Sequence, residues 1–422
     1  MRKALFWMHL CAGCVAGLIV LVMSVTGVAL TYEKQMIRWA DKRALEAQPR
    51  GTAPMPVEDL IAHVRVQRGA LPSAITWRNG ANEPVLMSYG RESVVYADAA
   101  TGAILGAGAK GTREFFHVMT DWHRWLGQEG AGRTTGRAIT GACNLAFLFI
   151  VVSGLYLWFP REWTRRHFAP ILWFRGGLGG KARDFNWHNV IGFWCLAPLF
   201  IIVISGAVIS YPWASNLAYT LTGSEAPAPT AKGGERKGPP GGGREGRAGE
   251  GRPGERKRGG KKGEERGGGP GGPPGFAAPP VDLPLDEINV AFEKARTARA
   301  SWESITLRLP GSERAPIVFS VDEGGPGQAH LRSTVTYRRE SGEAVVASEY
   351  ETYNAGRKAR TWLRFAHTGE VYGIVGQTIA GIASLGGVFL VYTGVALSLR
   401  RFAAWRRRRA RTQVAEAEEV AV

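Results

Sequence analysis

Cysteine is scarce and confined. Only four occur among 422 residues (Cys11, Cys14, Cys143, Cys195), and all lie inside long apolar runs. The segments between those runs therefore have no disulfide framework. Cys11 and Cys14 make a C-x-x-C, but Val15 follows where a c-type attachment needs His, so covalent haem attachment is excluded. Small residues packing between helices is the reading preferred for these cysteines. Charge is missing too, from four stretches: Ala4 to Tyr32, Ala138 to Pro160, Phe185 to Ser224 and Val371 to Leu399, of 29, 23, 40 and 29 residues. Each exceeds the roughly 20 apolar residues that cross a bilayer core. Run length alone rules out a soluble globular enzyme and predicts four membrane spans.

The charge that is present has an address. The net charge of +17 is carried by Lys232–Arg266 (12 basic, 6 acidic), by seven arginines in Arg400–Arg411, by six basic against two acidic residues in Arg161–Asp184, and by Arg2 and Lys3. These are membrane flanks and one linker, with no basic folded face, so no nucleic-acid partner is expected. Basic excess marks cytoplasmic segments. Both termini are therefore expected inside, and residues of about 33–136 and 214–370 outside. The first span begins like a signal peptide, but its run is too long for an h-region and no A-x-A site follows, so it is expected to be retained.

The chain is written twice. His9 is followed 17 residues on by Thr26-Gly27, and His188 at the same distance by Ser205-Gly206. Gly13 and Gly192 each lie four residues after those histidines. Gly136-Arg-Ala-Ile-Thr-Gly141 leads to Ser153-Gly154, and Gly376-Gln-Thr-Ile-Ala-Gly381 leads at matched spacing to Thr393-Gly394. One further histidine in an aromatic setting precedes each of the latter spans: Asp121-Trp-His123-Arg-Trp125 and Trp362-Leu-Arg-Phe-Ala-His367. The reading is a tandem duplication into two parallel repeats about an axis along the membrane normal. The fold class is an α-helical membrane protein with four transmembrane helices, at 4–32, 137–160, 188–213 and 371–399.

The outer parts repeat as well. A helix is expected at 56–70, with strands Ala74–Trp77, Pro84–Tyr89, Ser93–Tyr96 and Ala103–Leu105. Leu285–Thr297 reads as the second helix, with strands Ser304–Leu309, Ile317–Val321, Ser333–Tyr337 and Glu343–Ser348. That predicts two small outer α+β domains, 52–110 and 281–356, with an interfacial segment at 112–136 carrying His123. A cytoplasmic loop is expected at 161–184 and a basic cytoplasmic tail at 400–422. In Gly233–Gly275, 25 of 43 residues are Gly or Pro, so the linker 225–280 is expected to be disordered.

Taken together these motifs resemble the PepSY-associated transmembrane proteins, which include ferric-siderophore reductases and other iron-regulated inner-membrane proteins. The likeness rests on His9-Leu-Cys-Ala-Gly with Thr26-Gly27, on Val94-Val-Tyr-Ala-Asp-Ala-Ala-Thr-Gly102, and on His123-Arg-Trp-Leu. It continues through Trp187-His188-Asn-Val-Ile-Gly192 and His367-Thr-Gly-Glu-Val-Tyr-Gly373. It covers nearly the whole chain apart from the linker and tail. It implies that the outer domains are PepSY-like and periplasmic, that the membrane is the bacterial inner membrane, and that the substrate is a ferric siderophore. The second outer domain departs at Tyr337-Arg-Arg-Glu-Ser-Gly342, which lacks the acidic residue of the first turn.

Ionisable groups in a span are costly and mark function. His9 lies six residues past Lys3 and His188 four past Asp184, at one depth near the cytoplasmic face, while His123 and His367 precede their spans near the outer face. Two histidines at one depth on different helices can give both axial nitrogens to one haem iron, so two haem b sites per chain are expected, stacked across the membrane. Eighteen residues of helix rise about 27 Å, which sets Thr26-Gly27 and Ser205-Gly206 level with the outer histidines. Ser153-Gly154 and Thr393-Gly394 fall level with the inner ones, and the glycines are expected to admit a flat macrocycle. Zinc and copper want closer or added ligands. His117 rivals His123, but a six-residue offset turns the helix about 240°, and His123 carries the family match. His63, His167 and His330 have no partners in sequence and read as ordinary residues. The two Gly-x-x-Ile-x-Gly patterns fit helix packing as well as a haem face, and Trp122, Trp125, Trp187 and Trp194 read as interface-belt aromatics.

Three functions compete. In the first, electrons from a flavin or NAD(P)H-linked reductase or from quinol enter at the inner haem and reduce an outer ferric chelate, outer-sphere chemistry that needs no acid–base dyad. The second is a non-enzymatic outer binding or regulatory module. The third, a transporter, lacks broken midplane helices and buried carboxylates, with only Pro198 interrupting a span.

Overall fold

The computed structural model describes residues 1–46, 53–80, 83–90, 93–160, 162, 164–227, 283–325 and 327–420. The expected disordered linker lies outside the described residues except at its first few positions.

Four helices are long and apolar enough to cross a membrane: α1 (Arg2–Leu30), α5 (Gly132–Trp158), α7 (Gly180–Ser210) and α11 (Gly373–Val420). They pack as a ring, with α1 against α5, α5 against α7, α7 against α11 and α11 back against α1. Their outward faces stay apolar and exposed, for example at Val15, Leu18, Ile382 and Leu399, as lipid contact requires. Two ends differ from expectation. Helix α7 starts at Gly180 and draws Asp184 into the bundle, and α11 runs unbroken through the basic tail to Val420.

Between the spans lie shorter elements. The first half adds α2 (Glu33–Leu45), α3 (Val57–Arg68), β1 (Ala74–Arg78), β2 (Val85–Tyr89), β3 (Ser93–Ala97), β4 (Ile104–Gly106) and α4 (Lys110–Trp125). After α6 (Arg165–Leu172), the second half adds α8 (Pro212–Leu221), α9 (Ile288–Ala298) and β5 (Ser304–Arg308). It continues with β6 (Ile317–Asp322), β7 (Arg332–Arg338), β8 (Glu343–Ala347) and α10 (Ala355–His367). Pro212 at the first turn of α8 ends α7, because proline donates no helical N–H to the span before it.

The two α+β halves expected from sequence share one sheet. Its order is β4-β3-β2-β1-β5-β6-β7-β8, antiparallel throughout, with Ile75 facing Leu307 at the central joint. Strict alternation drives this: Ile317, Phe319 and Val321 of β6 point inward, while Val318, Ser320 and Asp322 do not. Helices α3 and α9 cover the inner face and contact each other, so one hydrophobic core spans both halves. The acidic turn residue of the first half has a structural use. Asp98 Oδ1 accepts hydrogen bonds from the Ala100 and Thr101 amides and from the Thr101 hydroxyl.

Candidate functional site

Helices α4 and α10 position the second pair of histidines. Each is strongly amphipathic and packs at one end of the bundle, α4 on α1 and α5, α10 on α7 and α8. Each ends in a turn that folds straight into the next span. Gly136 of α5 has room only for hydrogen against the Trp125 carbonyl, and Gly376 of α11 likewise meets the Gly369 carbonyl. Gly141 abuts the Tyr211 hydroxyl and Gly381 abuts Thr31. All four glycines of the two Gly-x-x-Ile-x-Gly patterns thus serve close helix packing.

The four singled-out histidines share one local construction. His9 Nδ1 lies 2.8 Å from Ser153 Oγ, and His188 Nδ1 lies 2.9 Å from Thr393 Oγ1. His123 Nδ1 lies 3.0 Å from Thr26 Oγ1, and His367 Nδ1 lies 3.0 Å from Ser205 Oγ. Each of the four hydroxyls donates its proton to a carbonyl of its own helix: Thr26 to Val22, Ser153 to Ile150, Ser205 to Ile202, Thr393 to Phe389. A hydroxyl whose proton is spent can only accept, so each histidine donates from Nδ1–H. His367 confirms this within its own contacts, because Nδ1 is also 2.9 Å from the Ile202 carbonyl, which cannot donate. Every ring is thereby held as the tautomer whose Nε2 carries a lone pair, the form in which histidine ligates a metal.

Three of the four glycines that follow the hydroxyls lie beside the imidazoles. A Cβ on Gly27, Gly154 or Gly394 would sit 3.6, 3.4 or 3.6 Å from Cε1 of His123, His9 or His188, an ordinary van der Waals contact. Gly206 meets Asn144 instead, whose amide donates to the Val203 carbonyl at 2.9 Å. Asn144, buried on α5, was not singled out by sequence reasoning, since nothing repeats it in the second half.

The rings pair as their depth predicts. His123 and His367 face each other with centroids 6.2 Å apart and planes at 65°. His9 and His188, from α1 and α7, are close enough to interact electrostatically. Metal–imidazole bonds of about 2 Å on either side of one atom, with half a ring added at each end, span a distance like that between His123 and His367. No group of three or more His, Cys, Asp or Glu side chains gathers as a metal site among the described residues. The donor set is thus two neutral nitrogens, which suits a macrocyclic iron that brings its other four ligands itself.

The remaining histidines stand apart. His117 is exposed, with Nδ1 3.6 Å from Asp121 Oδ2, and His63 Nδ1 donates to the Asp59 carbonyl. The side chain of His167 lies outside the described residues. Trp125 does more than line an interface: the guanidiniums of Arg124 and Arg133 lie 4.7 and 4.3 Å from its ring.

A ring of four apolar helices with histidines held between them defines a multi-span membrane protein. The chain belongs to the family of PepSY-associated TM regions, which it matches over residues 6–401. No curated protein matches it.

Proposed function

We propose that this chain is a di-haem b protein that passes electrons across the inner membrane to a ferric chelate, with a ferric siderophore as the acceptor in the periplasm. The observation that carries the reading is a unit met four times: a histidine held through Nδ1 by a spent hydroxyl on a neighbouring helix. A single histidine near a helix end has many uses. Four presented in the same tautomer, two at each end of the bundle, share one. Haem, when bound, supplies a reversible one-electron couple. His9 with His188 and His123 with His367 would hold the haem irons through Nε2, and the spans around them would exclude water.

The same reading takes the twofold order of elements as a duplication with parallel repeats. It places the basic flanks Arg2, Lys3 and Arg400–Arg411 inside and the shared sheet outside. In this reading electrons come from a flavin or NAD(P)H-linked reductase or from quinol. Purified protein should give a b-type reduced-minus-oxidised spectrum and two haems per chain by pyridine haemochrome. His9→Ala or His188→Ala should remove one haem, and His123→Ala or His367→Ala the other. Unchanged haem content in all four variants would overturn the assignment.

A further inference from the structure

A cavity of about 320 Å³ opens where the sheet meets the bundle, between the 327–330 turn, Tyr350, helix α10 and the start of α11. Its size falls at the lower end of the roughly 300–1,000 Å³ typical of small-ligand sites. Half of its lining residues carry rings: His330, Tyr350, Trp362, Phe365 and Tyr372. The His330 and Tyr350 rings lie 6.2 Å apart at 61°. Flat apolar walls of this kind favour a flat ligand through offset or edge contacts.

The polar groups of the wall specify further. Gln328 Oε1 already accepts from the Gly325 amide at 2.8 Å, which turns its NH₂ into the group available to a ligand. The Tyr350 and Tyr372 hydroxyls and the His330 imidazole can also donate. Among the described residues neither a carboxylate nor a lysine or arginine lines the cavity. Donors without a lining acid call for a ligand rich in oxygen acceptors.

Position supplies the last constraint. Trp362 and Phe365 belong to α10, the helix that ends in His367, and Phe365 is two residues from it. Val371 and Tyr372 stand at the very start of the fourth candidate span, and Tyr372 is 65% exposed. Two residues turn a helix by about 200°, so Phe365 lies on the face of α10 opposite His367, and the cavity opens there, beside the start of the fourth candidate span.

We infer that this cavity binds a planar oxygenated ring, a quinone drawn from the bilayer or a ferric catecholate drawn from the aqueous side. The inference deepens the electron-transfer reading and rests on it for its purpose. The binding itself does not depend on haem. Calorimetric titration of the full chain in detergent tests it with three probes: a short-tailed benzoquinone, ferric dihydroxybenzoate, and ferric citrate as an oxygen-rich chelate without a ring. At least one ring-bearing probe should bind with a stoichiometry of about one, and ferric citrate should not. Trp362→Ala and Tyr350→Ala should each weaken binding about tenfold, the loss of one stacked wall. Tyr350→Phe, which keeps the wall and removes a donor, should fall between wild type and Tyr350→Ala. Binding of the quinone alone assigns the bilayer as source, and binding of the catecholate alone assigns the aqueous side. Equal affinity in wild type and all three variants, tight binding of ferric citrate, or no binding of either ring would overturn the inference. Haem content measured on the same samples separates that failure from failure of the electron-transfer reading.

Discussion

At each of the four histidines a serine or threonine from a neighbouring helix holds Nδ1, and a carbonyl of that helix holds the hydroxyl proton. Removing the hydroxyl should spare the histidine and loosen what it presents. On the proposed haem reading, Thr393→Ala should keep the His188 nitrogen but weaken haem retention by roughly 10–100-fold, the cost of losing an outer-shell partner. Thr393→Ser should restore it, and haem titration of the three proteins checks both. At Gly154 the space is the limit: a Cβ would sit 3.4 Å from His9 Cε1. Gly154→Ala should therefore be tolerated, whereas Gly154→Val should displace the ring and cost the inner haem, read by haemochrome count. The histidines and their hydroxyl-glycine partners were legible from spacing, because helix rise converts residue number into depth. The packing of Asn144 against Gly206 was not legible, because that is a contact between helices far apart in sequence.

Asp184 shows the same limit for whole elements. As the last charge before a 40-residue uncharged run it reads as the edge of the membrane, outside the span. In the fold it is fully buried on α7, with Oδ1 2.9 Å from Arg183 Nη2 and Oδ2 3.0 Å from Arg400 Nη2 on α11. Arg400 thus ties the fourth candidate span to the third. Removing the carboxylate leaves Arg400 without its partner across the bundle. Asp184→Ala should lower stability by ~3 kcal/mol, toward the low end for broken buried pairs because both arginines reach solvent. Thermal unfolding in detergent checks this, with Asp59→Ala, on a helix that spans nothing, as the mild comparison. The connecting helices α2 and α8 escaped the sequence reading for a different reason. They are short and follow spans directly, so their periodicity merges with the apolar run before them.

The sheet makes the two halves one body, and a latch ties that body to the helix that follows the first candidate span. Asp41 on α2 is buried. It accepts the Tyr96 hydroxyl at 2.7 Å and the Ala109 amide at 2.7 Å, and it pairs with Arg113 Nη1 at 2.6 Å. One carboxylate thereby joins α2, strand β3 and the helix that carries His123. The strands were legible from alternation, but the joint between β1 and β5 was not, since each half alone also reads as a closed unit. Leu307→Ala at that joint should cost about 2–5 kcal/mol and still leave a single unfolding transition for the sheet, because Leu307 faces Ile75 in a shared core. The latch should answer to pH. Burial first, and then the hydrogen bond to the Asp41 carboxylate, hold the Tyr96 phenol above its usual range. An unfolded tyrosine releases its proton near pH 10, while Tyr96 in the fold keeps its own. Above that pH the unfolded chain binds fewer protons than the folded one, so stability falls as pH rises, by at most ~1.4 kcal/mol per unit from this group. Below it both states are protonated and the contribution is complete. Tyr96→Phe should therefore lose about 1 kcal/mol at neutral pH, the net worth of one hydrogen bond, and should show a shallower alkaline decline than the wild type. Melting temperatures of the two proteins across the alkaline range decide it: parallel declines would mean that Tyr96 ionises as freely in the fold as outside it, and that the latch is held by Arg113 alone.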